Sequence, residues 1–171
     1  AIIKIRSEII NSAFSFFTGK GFYLISAPSL VKNSVEGGST LFEVDYFGDT
    51  AYLSQSAQLY EEAAICSLEK VFIFQPAFRA EKSKTSRHLT EYWHAEMEEA
   101  WVSFDDIIAH GEGLLKHIIK KVLEERKQEL KILGRDPKTL EPTIKKKFPR
   151  MTYTEALKML DKKCGMKVKW G

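Results

Sequence analysis

The chain has 171 residues, 44% of them hydrophobic and 29% charged, ordinary values for one globular domain with a core of its own. No apolar run reaches the length that crosses a bilayer, and no signal-peptide pattern opens the sequence. Cys66 and Cys164 lack metal-ligand spacing, so they read as free thiols in a reducing cytoplasm. Net charge is only +3 but unevenly spread: residues 1–115 hold 9 basic and 16 acidic side chains, residues 116–171 hold 17 basic and 7 acidic. A basic tail region of this kind either faces nucleic acid or forms a solvated helical face.

Ile2, Ile5, Ile9, Ala13 and Phe16/Phe17 recur at helical spacing, which predicts an amphipathic helix over 2–18 with Gly19 as its C-terminal cap. Gly21 to Ala27 reads as a strand built on Phe22-Tyr23-Leu24-Ile25 that Pro28 stops, and 33–40 as a polar loop hinged at Gly37-Gly38. Strands are expected at 41–47 and 51–54 about a Gly48-Asp49 turn, then a helix over 56–68. Further strands are expected at 70–75, 77–82 and 90–102. Helices over 105–133 bury Leu115, Ile118, Ile119, Val122 and Leu123, with Gly111-Glu112-Gly113 as an irregularity. A polar linker fills 135–147, and a short helix over 154–163 is capped by Thr154. Hairpins flanked by helices, without βαβ alternation, predict an α+β fold: an antiparallel sheet flanked by helices.

The chemistry is densest in FRAEKSKTSRHLTEYWHAEMEE, Phe78 to Glu99. With the period of a strand, Arg79 and Glu81 share a face, and so do Tyr92, His94, Glu96 and Glu98, while Trp93, Ala95 and Met97 turn to the other side. An apolar side serves a core; a side of Arg, Glu, His and Tyr suits a ligand floor or a solvated sheet face. Between the strands Lys82, Lys84, Arg87 and His88 join Arg79 in a basic cluster beside an aromatic ring, a set that could hold phosphates and stack on a purine. No Walker-type glycine loop is present, so side chains would do the holding. His88, His94 and Glu96 match no established zinc spacing, and no metal site is assigned.

Phe78-Arg79-Ala80-Glu81, the basic loop and Arg87-His88-Leu89-Thr90-Glu91-Tyr92-Trp93 resemble motif 2 of class II aminoacyl-tRNA synthetases. Lys20-Gly21-Phe22 through Ala27-Pro28 resembles the family's motif 1, Ser34-Val35-Glu36-Gly37-Gly38 the mobile amino-acid loop of the aspartate/asparagine subgroup, and Tyr52 to Tyr60 its Gln-Ser-x-Gln segment. The resemblance implies ATP-dependent activation of an amino acid as an adenylate, then transfer to tRNA. Arg79 is the implied catalytic residue, on the α-phosphate of ATP. Glu81 would meet the adenine end or the tRNA 3′ terminus, Arg87 and His88 the outer phosphates, and Tyr92 the adenine ring. Glu36, Ser56 and Gln58 would receive the substrate's ammonium group.

The resemblance also makes Glu61 decisive. Aspartate-using relatives typically carry lysine here, three residues after the second glutamine of the segment. A carboxylate about 4 Å from a substrate carboxylate is repelled by roughly 4 kcal/mol at an effective dielectric near 20. Facing an amide NH₂ it accepts a charge-assisted hydrogen bond, so Glu61 selects asparagine over aspartate. Taken without the family, Glu61 is an exposed helix residue like Glu62.

The implied assembly is a homodimer through motif 1. Residues 1–171 would form part of a catalytic domain, with motif 1 at about 2–30, motif 2 at about 76–102 and a helical segment at about 105–165. Motif 3, the anticodon-binding domain and the ligands for Mg²⁺ are expected outside it, which predicts little activity for these residues alone. Two other outcomes stay open: an asparagine synthetase derived from the same family, which would need a cation where Glu61 stands, and a synthetase-like module without catalysis.

Overall fold

The computed structural model describes residues 1–32, 41–82, 85 and 88–170. The first helix, α1 (Ile2–Gly19), buries Ser12, Ala13, Phe16 and Phe17, the expected stripe. Its reversal falls two residues later than expected: Lys20 caps the helix, and Gly21 takes the left-handed conformation at φ 82°. That turn feeds β1 (Tyr23–Leu24), which runs parallel to β5 (Lys70–Phe78) through Tyr23↔Val71 and Leu24↔Phe72.

Strand β5 pairs antiparallel with β6 (Glu91–Glu99) over its whole length, from Lys70↔Glu99 to Phe78↔Glu91. The two strands expected at 70–75 and 77–82 are thus one, with Pro76 inside it. Backbone alternation explains why proline is tolerated. The Arg79 N–H bonds Thr90 of the partner strand, whereas the Phe78 N–H points the other way, to the Ser54 carbonyl. Pro76 shares Phe78's side, so its missing N–H removes no bond to β6.

A second sheet orders β2 (Leu30–Val31), β4 (Asp49–Leu53) and β3 (Glu43–Tyr46), all antiparallel. Its hairpin turns at Phe47-Gly48, one residue before the expected pair, with φ 54° and 91°. Positive φ at both turn residues is the geometry that matches strand twist. The α+β expectation therefore holds, with one short parallel pairing added.

Two helices sandwich the β1-β5-β6 sheet. On one face α1 packs Phe17 against Phe72 at 4.8 Å between ring centroids, and Phe16, Phe22, Met97 and Leu114 complete the cluster. The other face carries α2 (Gln58–Leu68), which starts two residues later than expected. Behind α1 lies α3 (Phe104–Glu125), unbroken through Gly111 and Gly113. Gly113 is therefore not an irregularity. A β-carbon there would stand 3.1 Å from the Phe16 ring, so glycine lets the two helices approach. Leu115, expected in the buried stripe, is half-exposed, because the approach at Gly113 rotates it outward.

Beyond α4 (Lys127–Ile132) the expected polar linker contains a 3₁₀ turn at Pro137–Thr139 and the short α5 (Glu141–Lys145). The last helix, α6 (Tyr153–Cys164), is capped by Thr152 and not Thr154: the Thr152 hydroxyl accepts from the Glu155 N–H, and Glu155 reaches back to the Thr152 N–H. Among the described residues no helix is long and apolar enough to cross a membrane.

Candidate functional site

The face of the β1-β5-β6 sheet covered by α2 gathers most of the site candidates. Strand periodicity puts Tyr92, His94, Glu96 and Glu98 on it, opposite Ala77, Gln75, Ile73 and Val71. Contacts run along the row without a break. The Arg79 guanidinium lies 6.0 Å from the centre of the Tyr92 ring. Tyr92 and His94 meet edge to face at 5.5 Å, and His94 Nδ1 lies 3.4 Å from Glu96 Oε1. The Ser56 hydroxyl donates to Glu96 Oε1 at 2.5 Å, and the Ala57 N–H to Glu96 Oε2 at 2.8 Å. One carboxylate thereby fixes the turn that leads into α2.

That turn decides where Glu61 goes. Ala57 is fully buried beneath it, and the first turn of α2 directs Glu61 inward, where it is 0% exposed. The reading of Glu61 as an exposed helix residue fails; only its neighbour Glu62 is exposed. Among the described residues neither Glu61 carboxyl oxygen has a hydrogen-bond partner. Burial, followed by the nearby Glu96 and Glu98 charges, pushes its pKa up to about 8. Glu98 is raised as well, by burial first and then by Glu62 and Glu96. Leaving a buried carboxyl unpaired costs far more than leaving an exposed one, so Glu61 is poised for a donor.

The remaining candidates divide. Gln58 uses its amide to donate to Glu62 Oε1 at 2.9 Å, within its own helix. Arg79 and Glu81 are both exposed and lie beyond the end of β5, so the face they were expected to share is not part of the strand. His88 is exposed and hydrogen-bonds Thr85. Glu36 and Arg87 lie outside the described residues. Sequence reasoning missed Gln75, whose Oε1 accepts from the Ala27 N–H at 3.1 Å and ties the motif 1 proline segment to the sheet. Its position opposite His94 was the available signal. Beside α2, Leu30, Lys32, Ser54, Gln55, Ser56 and Tyr60 border a cleft of about 520 Å³. No group of three or more His, Cys, Asp or Glu able to hold a metal exists among the described residues.

Paired antiparallel strands with an arginine over a tyrosine, a carboxyl-anchored turn and a buried acceptor make a floor for an ionic, hydrogen-bonding ligand. Residues 1–169 match the model of the class II tRNA synthetases (D, K and N), and the chain belongs to that family. It is 48% identical over 171 residues to the asparagine–tRNA ligase of Thermoplasma acidophilum, covering all of this chain and 39% of that protein. With the asparagine–tRNA ligase of Koribacter versatilis it shares 52% over 160 residues, 94% of this chain and 36% of the relative. The fold superposes at a TM-score of 0.92 and 46% identity on the asparaginyl-tRNA synthetase of Pyrococcus horikoshii complexed with asparaginyl-adenylate, over 99% of this chain and 38% of that one. The chain thus spans about two-fifths of the length of these relatives.

Proposed function

We propose that residues 1–171 supply the amino-acid and ATP floor of an asparagine–tRNA ligase, which joins asparagine to its tRNA through an asparaginyl-adenylate. The observation that carries this reading is Glu61: fully buried, without a hydrogen-bond partner among the described residues, and lying under the turn that Ser56 and Glu96 fix. An amide NH₂ satisfies such an acceptor, whereas a substrate carboxylate adds a further negative charge beside Glu96 and Glu98.

In the reaction the asparagine carboxylate oxygen attacks the α-phosphorus of ATP, and the bond to the pyrophosphate oxygen breaks. Arg79 compensates the charge that builds on the phosphoryl oxygens. Tyr92 lines the adenine side, steadied by the Arg79 guanidinium on its ring. Ser56, Gln58 and Glu36 are the acceptors proposed for the substrate ammonium, and His88 and Arg87 the donors for the outer phosphates. Ser56 donates to Glu96 and accepts from the Gln58 N–H at 3.1 Å, which leaves one lone pair of its oxygen for the ammonium. Glu81 is left for the adenine end or the tRNA terminus. No protein nucleophile is needed; positioning and electrostatics carry the step. The described residues do not form a magnesium site, and no step here depends on one.

The family's twofold dimer is proposed through α1 and β1. Ile2, Ile3, Tyr23 and Leu24 are each more than half exposed there, and Ile3, Arg6, Ile10 and Trp93 line a groove of about 350 Å³. Cys66 and Cys164 are exposed free thiols, which fits a cytoplasmic site of action.

The test is binding of non-hydrolysable asparaginyl- and aspartyl-adenylate analogues to residues 1–171. The asparaginyl analogue should bind more tightly, and Glu61→Lys should cut that preference by roughly 10- to 150-fold, the worth of one charge-assisted hydrogen bond. An unchanged preference, or binding of neither analogue, defeats the reading.

A further inference from the structure

The last eighteen described residues form a small unit that the adenylate site does not use. Gly165, left-handed at φ 64°, ends α6; its N–H bonds Asp161 and the Met166 N–H bonds Leu160. The chain then returns along the helix. Trp170 reaches the opposite end, where its Nε1–H donates to the Thr154 hydroxyl at 3.1 Å and its ring meets Tyr153 edge to face at 5.6 Å. The helix rises about 18 Å over its twelve residues, and the returning segment includes a tight turn in which the Val168 N–H bonds the Met166 carbonyl.

This hairpin places Lys158, Lys162 and Lys163 of α6 beside Lys167 and Lys169 of the returning segment, all five exposed. Among the described residues none of the five holds a carboxylate within 4.0 Å, although Lys158 lies near enough to Glu155 to add to the lowering of its pKa by the Thr152 hydrogen bonds; Lys4, Lys70, Lys120 and Lys145 each hold one. The only acids in the unit are Glu155 and Asp161, and Glu155 is occupied by the cap at Thr152. Trp170 keeps 71% of its surface exposed although its indole N–H is fixed, which leaves a ring face available for stacking. The acidic balance of residues 1–115 makes that part of the chain a poor surface for a polyanion and leaves the basic stretch 116–171, which the hairpin ends, as the favoured one.

We infer that the hairpin of α6 and residues 166–170 is an RNA-docking surface, its five lysines on backbone phosphates and Trp170 on a base or ribose. The inference rests on the tRNA-ligase reading for the RNA being tRNA; the shared chemistry is a phosphodiester strand. Lysines without partners suit it, because they form diffuse, sequence-independent contacts whose affinity comes from counterion release.

The experiment measures binding of unfractionated tRNA to residues 1–171 by anisotropy across a salt series, with Trp170 fluorescence as a second signal. The wild-type chain should bind at low salt with a steep salt dependence. Lys162→Gln/Lys163→Gln/Lys167→Gln should flatten the log–log salt slope by about 2–3 and weaken low-salt binding by roughly 10- to 100-fold, with an unchanged circular dichroism spectrum. Lys131→Gln/Lys138→Gln, exposed lysines elsewhere, should lose much less. Trp170→Phe should remove most of the fluorescence change. Arms with single-stranded homopolymer RNA and with anionic phosphatidylserine vesicles separate the sources of phosphate. The proposal is overturned if the wild-type chain binds no tRNA, if the two lysine variants lose equally or not at all, or if vesicles engage Trp170 and tRNA does not displace them. Adenylate-analogue binding should be the same in every lysine variant, so failure of the docking surface and failure of the ligase reading give different results.

Discussion

The acidic floor under α2 and the basic hairpin after α5 treat charge in opposite ways. Glu61 is fully buried beside Glu96 and Glu98 and, unlike Glu96, has no donor among the described residues, so a charge on it works against folding until a ligand supplies one. The five lysines of the hairpin stay in water, where an unpaired ammonium has no desolvation cost to recover. Buried charge of one sign is expensive and selective for a single partner group. Exposed charge of one sign is cheap and attracts any polyanion. The same chain thus separates chemical discrimination from electrostatic attraction by burial alone.

The contrast in packing is the easiest to break. Phe72→Ala empties a site with no exposure between Phe17 and Phe14 and should cost about 3–5 kcal/mol in chemical denaturation. Leu160→Ala, 37% exposed on α6, should cost less than about 1 kcal/mol. Equal losses would mean that the hairpin is part of the same cooperative core.

Next comes the pH dependence of the floor. Glu61 holds its proton in the folded chain up to about pH 8, but in the unfolded chain only to its ordinary value of 4.5. Between these values the folded state binds more protons, so its stability falls as pH rises. Glu61→Gln removes that loss. The variant should match the wild type near pH 4.5 and exceed it progressively above, by on the order of 3 kcal/mol near pH 8. A pH-independent difference in melting between the two would show that Glu61 is solvated. The same proton links to the proposed ligand: if Glu61 accepts from an amide NH₂ it must be ionised, so affinity for the asparaginyl-adenylate analogue should strengthen as pH approaches 8, with proton release measurable by calorimetry in two buffers.

The smallest effect concerns the hairpin itself. Thr152→Ala removes the hydroxyl half of the capping exchange with Glu155, leaving the backbone N–H bond to the Glu155 carboxylate, and should destabilise α6 by about 1 kcal/mol. Hydrogen exchange should rise in 153–164 while the amides of β5 and β6 stay protected. If protection falls in both regions, the two are coupled more tightly than their packing indicates.

Much of this was legible in the sequence because it depends on local periodicity. Phe16 and Phe17 at helical spacing marked the buried face of α1, and the alternation from Tyr92 to Glu98 placed four polar side chains on one face of β6. The Arg79 and Tyr92 candidates rest on strand periodicity together with motif resemblance, and Ser56 on the resemblance alone. Other features depended on what a distant element does. Pro76 reads as a strand break until the alternation of β5 shows its nitrogen pointing away from β6. Gly113 reads as an irregularity until Phe16 stands 3.1 Å from its absent side chain.

Glu61 marks the boundary. The sequence alone determined that a carboxylate stands in the first turn of a helix after a Gln-Ser-x-Gln segment, since side-chain type and helical phase are local properties. Only the tertiary structure decided that this carboxylate is buried over β6, because burial depends on which surface closes over a side chain. That surface is formed by strands thirty residues away, held there by Glu96 reaching back to Ser56 and Ala57. Desolvation acts on the folded arrangement and not on the residue, so no local pattern could have revealed the raised affinity for a proton, or the demand for a donor that comes with it.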